Sequence, residues 1–297
     1  MKIAVTGANS SVGQSLLKRL SKEEGTTIWA GVRSEQAFSS LPQDDAIKPV
    51  VISYDDVSSL EKIMAEADCV IHLAGILVET KNSNYASANI AATAAIVDAA
   101  LTSRVKHLIF ISVIGADPNS NNAYFRSKGV AEELISNSGI NASLLRTPIL
   151  LGPGAAGSQA ILGMASSGQT KVLGGGNYQM RPLDIDDLAE ALTKLSQTAP
   201  AGAVVHELVG PASFSYRDII SKTAELMGKS VEIGSVPIWI AKIGSAITST
   251  LKGGGITPTV IDVITQDEVI ETNADKEIGI TLTSLEGTLQ KMVNTGD

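Results

Sequence analysis

The sequence predicts a doubly wound α/β protein: a parallel sheet covered by helices on both sides, with a smaller cap domain toward the C-terminus. Three observations predict it. Short apolar runs alternate with helix-length segments through the first 150 residues. Those runs are apolar on both faces, as strands must be when they lie between two layers of helix. Past residue 150 the rhythm breaks into glycine-rich turns around shorter elements.

"KIAVT" (2–6) is the first strand, and "SVGQSLLKRLSKE" the first helix, with Leu16, Leu17 and Leu20 on one face. "TIWAGVR" (27–33) and "KPVVIS" (48–53) are the next strands. "SSLEKIMAEA" follows as a helix, "CVIHLAG" (69–75) as a strand, and "NIAATAAIVDAALTS" as an alanine-rich helix able to lie close to the sheet. Strand "HLIFIS" (107–112), the helix through "YFRSKGVAEELISNS" and strand "ASLLRT" (142–147) complete the core at residues 1–150. Residues 151–297 are mainly cap, with late core strands and helices interleaved at about 181–210. They hold the turns "LGPGAAGS" and "VLGGGNYQMRP", strand-like "AVVHELVG", helix "SYRDIISKTAELMG", the apolar "PIWIAKIGSAITSTL" and a polar C-terminal helix.

Composition narrows the function. The chain of 297 residues is 44% hydrophobic and 18% charged, an ordinary packed globular composition. Its 23 basic and 31 acidic residues leave a net charge of −8 with no Lys/Arg cluster, so nucleic-acid binding is not expected. Cys69 is the single cysteine; it reads as a small buried residue suited to a reducing compartment. His72, His107 and His206 are scattered, so no metal site is expected. "MKIAVTG" enters a strand at once, and no stretch reaches the roughly 20 apolar residues that span a bilayer. The expectation is a soluble cytoplasmic protein.

"TGANSSVG" joins the first strand to the first helix. Gly7 permits a tight turn and Gly13 close packing of the helix. The amides between them (Asn9, Ser10, Ser11 and Val12, with Gly13) are placed to meet an anion at the helix N-terminus. That is a dinucleotide-binding turn, with Ser10 where the middle glycine usually stands. Serine fits there at negative φ, and its hydroxyl would be free to contact phosphate. About 20 residues on, where a carboxylate would select NAD(H) through its ribose diol, stand Val32 and then Arg33. A guanidinium with no opposing carboxylate favours NADP(H).

Tyr124 and Lys128 stand one helical turn apart, after the strand ending at Ser112. An ammonium beside a phenol favours the phenolate and lowers its pKa from near 10. The pair reads as an acid/base.

With "TGANSSVG", "HLAG", "YFRSK", "LRTPILLGPG" and "RPLDIDDLAEAL" in this order, the chain resembles the extended short-chain dehydrogenase/reductases, which have a Rossmann core. "FISVIGADPNSNNAYFRSKGVAEELI" and "ELVGPASFSYRDII" resemble more narrowly the atypical branch that holds the nucleotide-binding accessory subunit of respiratory complex I. The resemblance implies that Ser53 and Tyr54 lie beside adenine and that Leu73, Ala74 and Gly75 line the adenosine ribose. It also implies that Asn89 and Ser112 join the cofactor set and that Pro148 sits by the carboxamide. Tyr124 would be the acid/base and Lys128 its partner. Asn89 has a plainer alternative, satisfying backbone groups near a helix bend. One position departs from the pattern: Ile114 stands where the family carries a carbonyl-polarising hydroxyl.

Two readings follow. One is an NADPH-dependent oxidoreductase acting on a small carbonyl, quinone or enone; the other is a non-catalytic NADP(H)-binding sensor or assembly protein with a protein partner. A nucleotide-sugar epimerase or dehydratase ranks third, because such members keep the hydroxyl. In "PIWIAKIGSAITSTL", Trp239, Ile243, Ala246, Ile247 and Thr250 share a face. With Lys242 and Lys252 the only nearby positive charges, a core-facing cap helix is favoured over a membrane-surface helix.

Overall fold

The computed structural model describes residues 1–252 and 255–295, with side chains described outside 250–252. Among them, seven strands form one parallel sheet: β1 (Lys2–Thr6), β2 (Thr27–Val32), β3 (Ile47–Val51), β4 (Cys69–His72), β5 (His107–Val113), β6 (Ala142–Thr147) and β7 (Ala203–Glu207). Their order is β7-β6-β5-β4-β1-β2-β3. The chain runs outward from β1 to β3, then returns to place β4 on the other side of β1. That reversal opens a crevice at the carboxyl ends of β1 and β4.

The helices are α1 (Ser11–Leu20), α2 (Val57–Met64), α3 (Ala92–Thr102), α4 (Ala123–Ser136), α5 (Ala156–Ser166), α6 (Ile185–Gln197), α7 (Tyr216–Leu226), α8 (Ile238–Lys252) and α9 (Pro258–Ile264). Alternation along each strand sorts the core into two layers. Ile3, Val5, Ile28, Ile71 and Ile109 pack with Leu16, Leu17 and Leu20 of α1 and Leu188 and Leu192 of α6. From the opposite face Ala4, Val70, Leu108, Phe110 and Leu144 meet Leu60, Ile63, Ile96 and Ile135 of α2, α3 and α4. A third cluster (Leu151, Ile161, Val172, Ile219, Ile220, Leu289) joins α5, α7 and the helix Leu285–Thr295. It backs the parallel pair Gln169–Leu173 and Glu232–Val236.

The alanine-rich helix is present; its first part, Ala86–Ala91, is a π-helical stretch, and α-helical winding begins at Ala92. One expectation is corrected. The apolar face of α8 does not turn to the core, since Trp239, Ile243 and Ile247 are 65%, 57% and 59% exposed. Ile238, Ala241, Lys242, Ser245 and Ser249 of α8 are half-buried, and α8 packs on α9. Lys242 pairs with Asp262 across that contact. Thr250 and Lys252, named with this face from the sequence, lie outside the residues whose side chains are described.

Candidate functional site

Thr6 pairs in register with Gly31 of β2 and His72 of β4, so the segments after these strands emerge at one level. Gly7 turns the chain at φ +73°, and a Cβ there would stand 3.1 Å from the Ala74 amide nitrogen. A Cβ on Gly13 would meet the Ala8 carbonyl oxygen at 2.4 Å, so only glycine fits. Ser10 adopts φ −68° and caps α1: its Oγ accepts from the Gly13 amide at 3.0 Å and donates to the Gly7 carbonyl at 2.8 Å. That corrects the expectation of a hydroxyl free for phosphate; Ser10 closes the turn in place of the missing glycine, and the Gly13 amide is capped with it. The Ser11 and Val12 amides have no acceptor among the described residues. They are orphan donors at the positive end of a helix.

Other expected contacts gather around this turn. The Leu73 amide donates to the Thr6 carbonyl at 3.1 Å. A Cβ on Gly75 would stand 3.8 Å from the Lys128 ammonium. Arg33 is exposed just past β2. Burial raises the Tyr54 phenol pKa, while the Thr6 hydroxyl and the Arg33 charge oppose the rise. Tyr54 packs edge-on to His72 at 5.9 Å, and Ser53 Oγ accepts from the Asp55 amide at 3.2 Å. Asn89 is used inside the protein, as in its plainer reading: Oδ1 accepts from the Ile76 amide at 2.8 Å, and Nδ2 donates to the Ile76 carbonyl at 3.1 Å and to Ser127 Oγ at 2.9 Å.

α4 begins where Asn122 Oδ1 accepts from the Tyr124 and Phe125 amides. Lys128 is buried; its Nζ donates to the Ile111 carbonyl at 2.7 Å and lies 4.0 Å above the Phe110 ring. Burial pulls its pKa down to about 7, with Glu132 opposing. Burial also pushes the Tyr124 phenol well above the usual range, reinforced by Tyr85, whose ring lies 5.8 Å away. This corrects the expected lowering of the phenol: Lys128 directs its charge to Ile111 and Phe110, so desolvation decides the direction. Ser112 Oγ, at the end of β5, is buried without a hydrogen-bond partner.

Tyr124, Ile114 and Pro148 line one cavity of about 490 Å³, walled also by Met164, Met180 and Ile264. The Tyr124 hydroxyl has no hydrogen-bond partner among the described residues. Gln266 lines the cavity too, its Nε2 3.5 Å from where a Gly115 Cβ would stand, and its amide has no partner among the described residues. Reasoning from the sequence missed this residue. It arrives from the segment after α9, and no local pattern in "ITQDE" marks it.

A family model described as NAD(P)H-binding matches residues 7–174. The chain belongs to the NAD(P)H-binding family. It is 27% identical over 82% of its length to subunit 9 of the NADH dehydrogenase [ubiquinone] 1 alpha subcomplex of Arabidopsis thaliana, a mitochondrial protein, and spans 62% of that protein. It is 24% identical over 93% of its length to the mitochondrial NADH-ubiquinone oxidoreductase 40 kDa subunit of Neurospora crassa, covering 74% of it. The structure of UDP-glucuronic acid 4-epimerase from Bacillus cereus, in complex with UDP-glucuronic acid and NAD, superposes with a TM-score of 0.78 at 20% identity, over 99% of this chain and 98% of that one. At that identity the likeness to the solved structure shows a shared Rossmann-type α/β fold. The residues present fit a nicotinamide dinucleotide: two orphan amides face the crevice, glycines clear its floor, and the Ser112 hydroxyl lacks a partner. Among the described residues, no helix is long and apolar enough to cross a membrane, and no group of three His, Cys, Asp or Glu is placed to hold a metal ion.

Proposed function

We propose that the protein is an NADP(H)-dependent oxidoreductase that reduces an organic carbonyl, with Tyr124 as proton donor. The observation that carries this reading is the unpartnered Tyr124 hydroxyl in the cavity beside Pro148 and Gln266. When bound, the nicotinamide coenzyme supplies the hydride. The Ser11 and Val12 amides, on the turn that Gly7 and Gly13 permit, would receive its pyrophosphate, Leu73 to Gly75 its adenosine ribose, and Ser53 and Tyr54 its adenine. Arg33, with Val32 rather than a carboxylate beside it, favours the coenzyme bearing a 2′-phosphate.

As the carbonyl carbon gains hydride, its oxygen takes the Tyr124 proton. Because burial holds the phenol in its neutral form, the donor is charged with its proton across the neutral range. The phenolate left behind recovers a proton from solvent, while Lys128, on the same helix face, keeps its ammonium on the Ile111 carbonyl and over the Phe110 ring. With Ile114 unable to donate, the Gln266 amide is the second donor to the developing oxyanion.

The Ile114 position, and relatives that are subunits of a respiratory assembly, favour a second reading, a coenzyme-holding accessory protein. One experiment separates them. Titration with both reduced coenzymes should give tighter binding of NADPH. Oxidation of NADPH in the presence of a carbonyl, quinone and enone panel should then fall by roughly 10²- to 10⁴-fold in Tyr124→Phe, with coenzyme affinity unchanged. Tight NADPH binding without turnover on any member, together with a co-purifying protein, would decide for the accessory role.

A further inference from the structure

We propose that the cavity takes a carbonyl compound carrying a long apolar chain, a lipid-type ketone or enal, and not a nucleoside-diphosphate sugar. This rests on the oxidoreductase reading of Tyr124 and names its substrate class.

The cavity wall carries the argument. Much of it is built from aliphatic and thioether side chains, among them Ile149, Met164, Leu173 and Met180. Aromatic rings of Tyr178 and Tyr216, stacked at 5.5 Å, form part of its far side. A volume of about 490 Å³ leaves room for far more than a carbonyl group.

A diphosphate in the same space would need cations to pair with it. The charged groups lining the cavity are Lys171, Asp267 and Glu268, so the balance is negative. Both acids are also fixed in place. Asp267 Oδ1 accepts from the Gln179 amide at 2.7 Å, and Glu268 Oε2 from the Arg181 amide at 2.7 Å. Neither nearby arginine is free: Arg181 donates to the Gly210 carbonyl, and Arg217 to the carbonyls of Gly175 and Ile233. An anionic head group therefore meets two carboxylates and one exposed lysine, whereas an alkyl chain meets the aliphatic and thioether side chains that make up much of the wall.

The outside of the molecule is consistent with an apolar ligand. α9 contributes Val263 and Ile264 to the cavity, and α8, packed on α9, leaves Trp239, Ile240, Ile243 and Ile247 exposed. In the reaction NADPH gives hydride to the carbonyl carbon, the carbonyl oxygen takes the Tyr124 proton, and the products are a long-chain alcohol and NADP⁺.

The test is calorimetric titration of 2-alkanones, from butanone to dodecanone, into the protein saturated with NADP⁺, where no turnover occurs. Affinity should tighten by about 4-fold per added methylene until the cavity is full. UDP-glucose should give no saturable heat. In Ala160→Phe, which narrows the cavity, the gain should stop at a shorter chain while NADP⁺ affinity stays the same. Affinity that is flat along the series, or saturable UDP-glucose binding that an alkanone displaces, would overturn the proposal. A rising series with no NADPH oxidation on the same ketones would keep the ligand class and refute the oxidoreductase reading instead.

Discussion

Lys128 places an ammonium in a space that is only 6% exposed, and its one hydrogen bond reaches a backbone carbonyl. The sign of its effect on stability follows. The folded pKa is about 7 against an ordinary 10.5, so between pH 7 and 10.5 the unfolded chain holds a proton that the folded chain has released. Stability contributed by this site therefore rises with pH across that window, and below it the full cost of burying the charge remains. Lys128→Met should stabilise the fold at pH 7 by roughly 2 kcal/mol and flatten the rise toward pH 9.5. Thermal unfolding followed by circular dichroism over pH 6 to 9.5 checks both. Gln266 gives a second expectation: Gln266→Leu should lower kcat by roughly 10²- to 10³-fold, and adding Ile114→Ser should recover part of it. Steady-state rates on the best ketone measure this. Tyr124 and Lys128 were visible in the sequence because a four-residue spacing fixes a shared helix face. Gln266 was not, because only the tertiary path of the chain brings it to Ile114. The direction of the tyrosine shift was misread for a related reason, since spacing carries no information about desolvation.

Among the elements, the core helices and α8 differ in how much their apolar faces matter. Leu16 and Leu17 of α1 are fully buried, whereas Ile243 and Ile247 of α8 face outward. Ile243→Gln combined with Ile247→Gln should change the unfolding free energy by less than about 0.5 kcal/mol for each substitution. Leu16→Ala should cost about 2–5 kcal/mol, and urea titrations of the two proteins make the comparison. The contrast explains what was readable at this scale. Strands such as "ASLLRT" matched the observed Ala142–Thr147 because they are buried on both sides, where a continuous apolar run admits one reading. An apolar helix face reports only that it avoids water in isolation, and a side-chain pair between α8 and α9 is ionic, Lys242 with Asp262. Ser10 was read as an acceptable residue for the turn, and its φ bears that out, but its bond to the Gly13 amide belongs to capping geometry that a glycine fingerprint does not describe.

On the scale of the whole molecule, the sheet strands bury His72, His107 and His206, and burial shifts the first two. Burial holds His72 down to about 3 and His107 to about 4, the latter helped by His206. Both folded values lie below the ordinary 6.5, so on acidification the unfolded chain gains protons that the folded one refuses, and stability is lost from pH 6.5 downward. The two sites together contribute a slope of up to about 2.7 kcal/mol per pH unit, and His107→Asn should remove about half of it between pH 6.5 and 4.5. Urea midpoints across that range are the measurement. The winding of Ala86–Ala91 reaches equally far. It sets Asn89 against both Ile76 and Ser127, while Thr93, four residues on, donates to the Asn89 carbonyl and approaches His72. Shortening that stretch by a single residue would rotate everything upstream by about 100° relative to α3. The loop after β4 would lose its tether to α4, so the register of one helix decides whether the two halves of the crevice stay aligned.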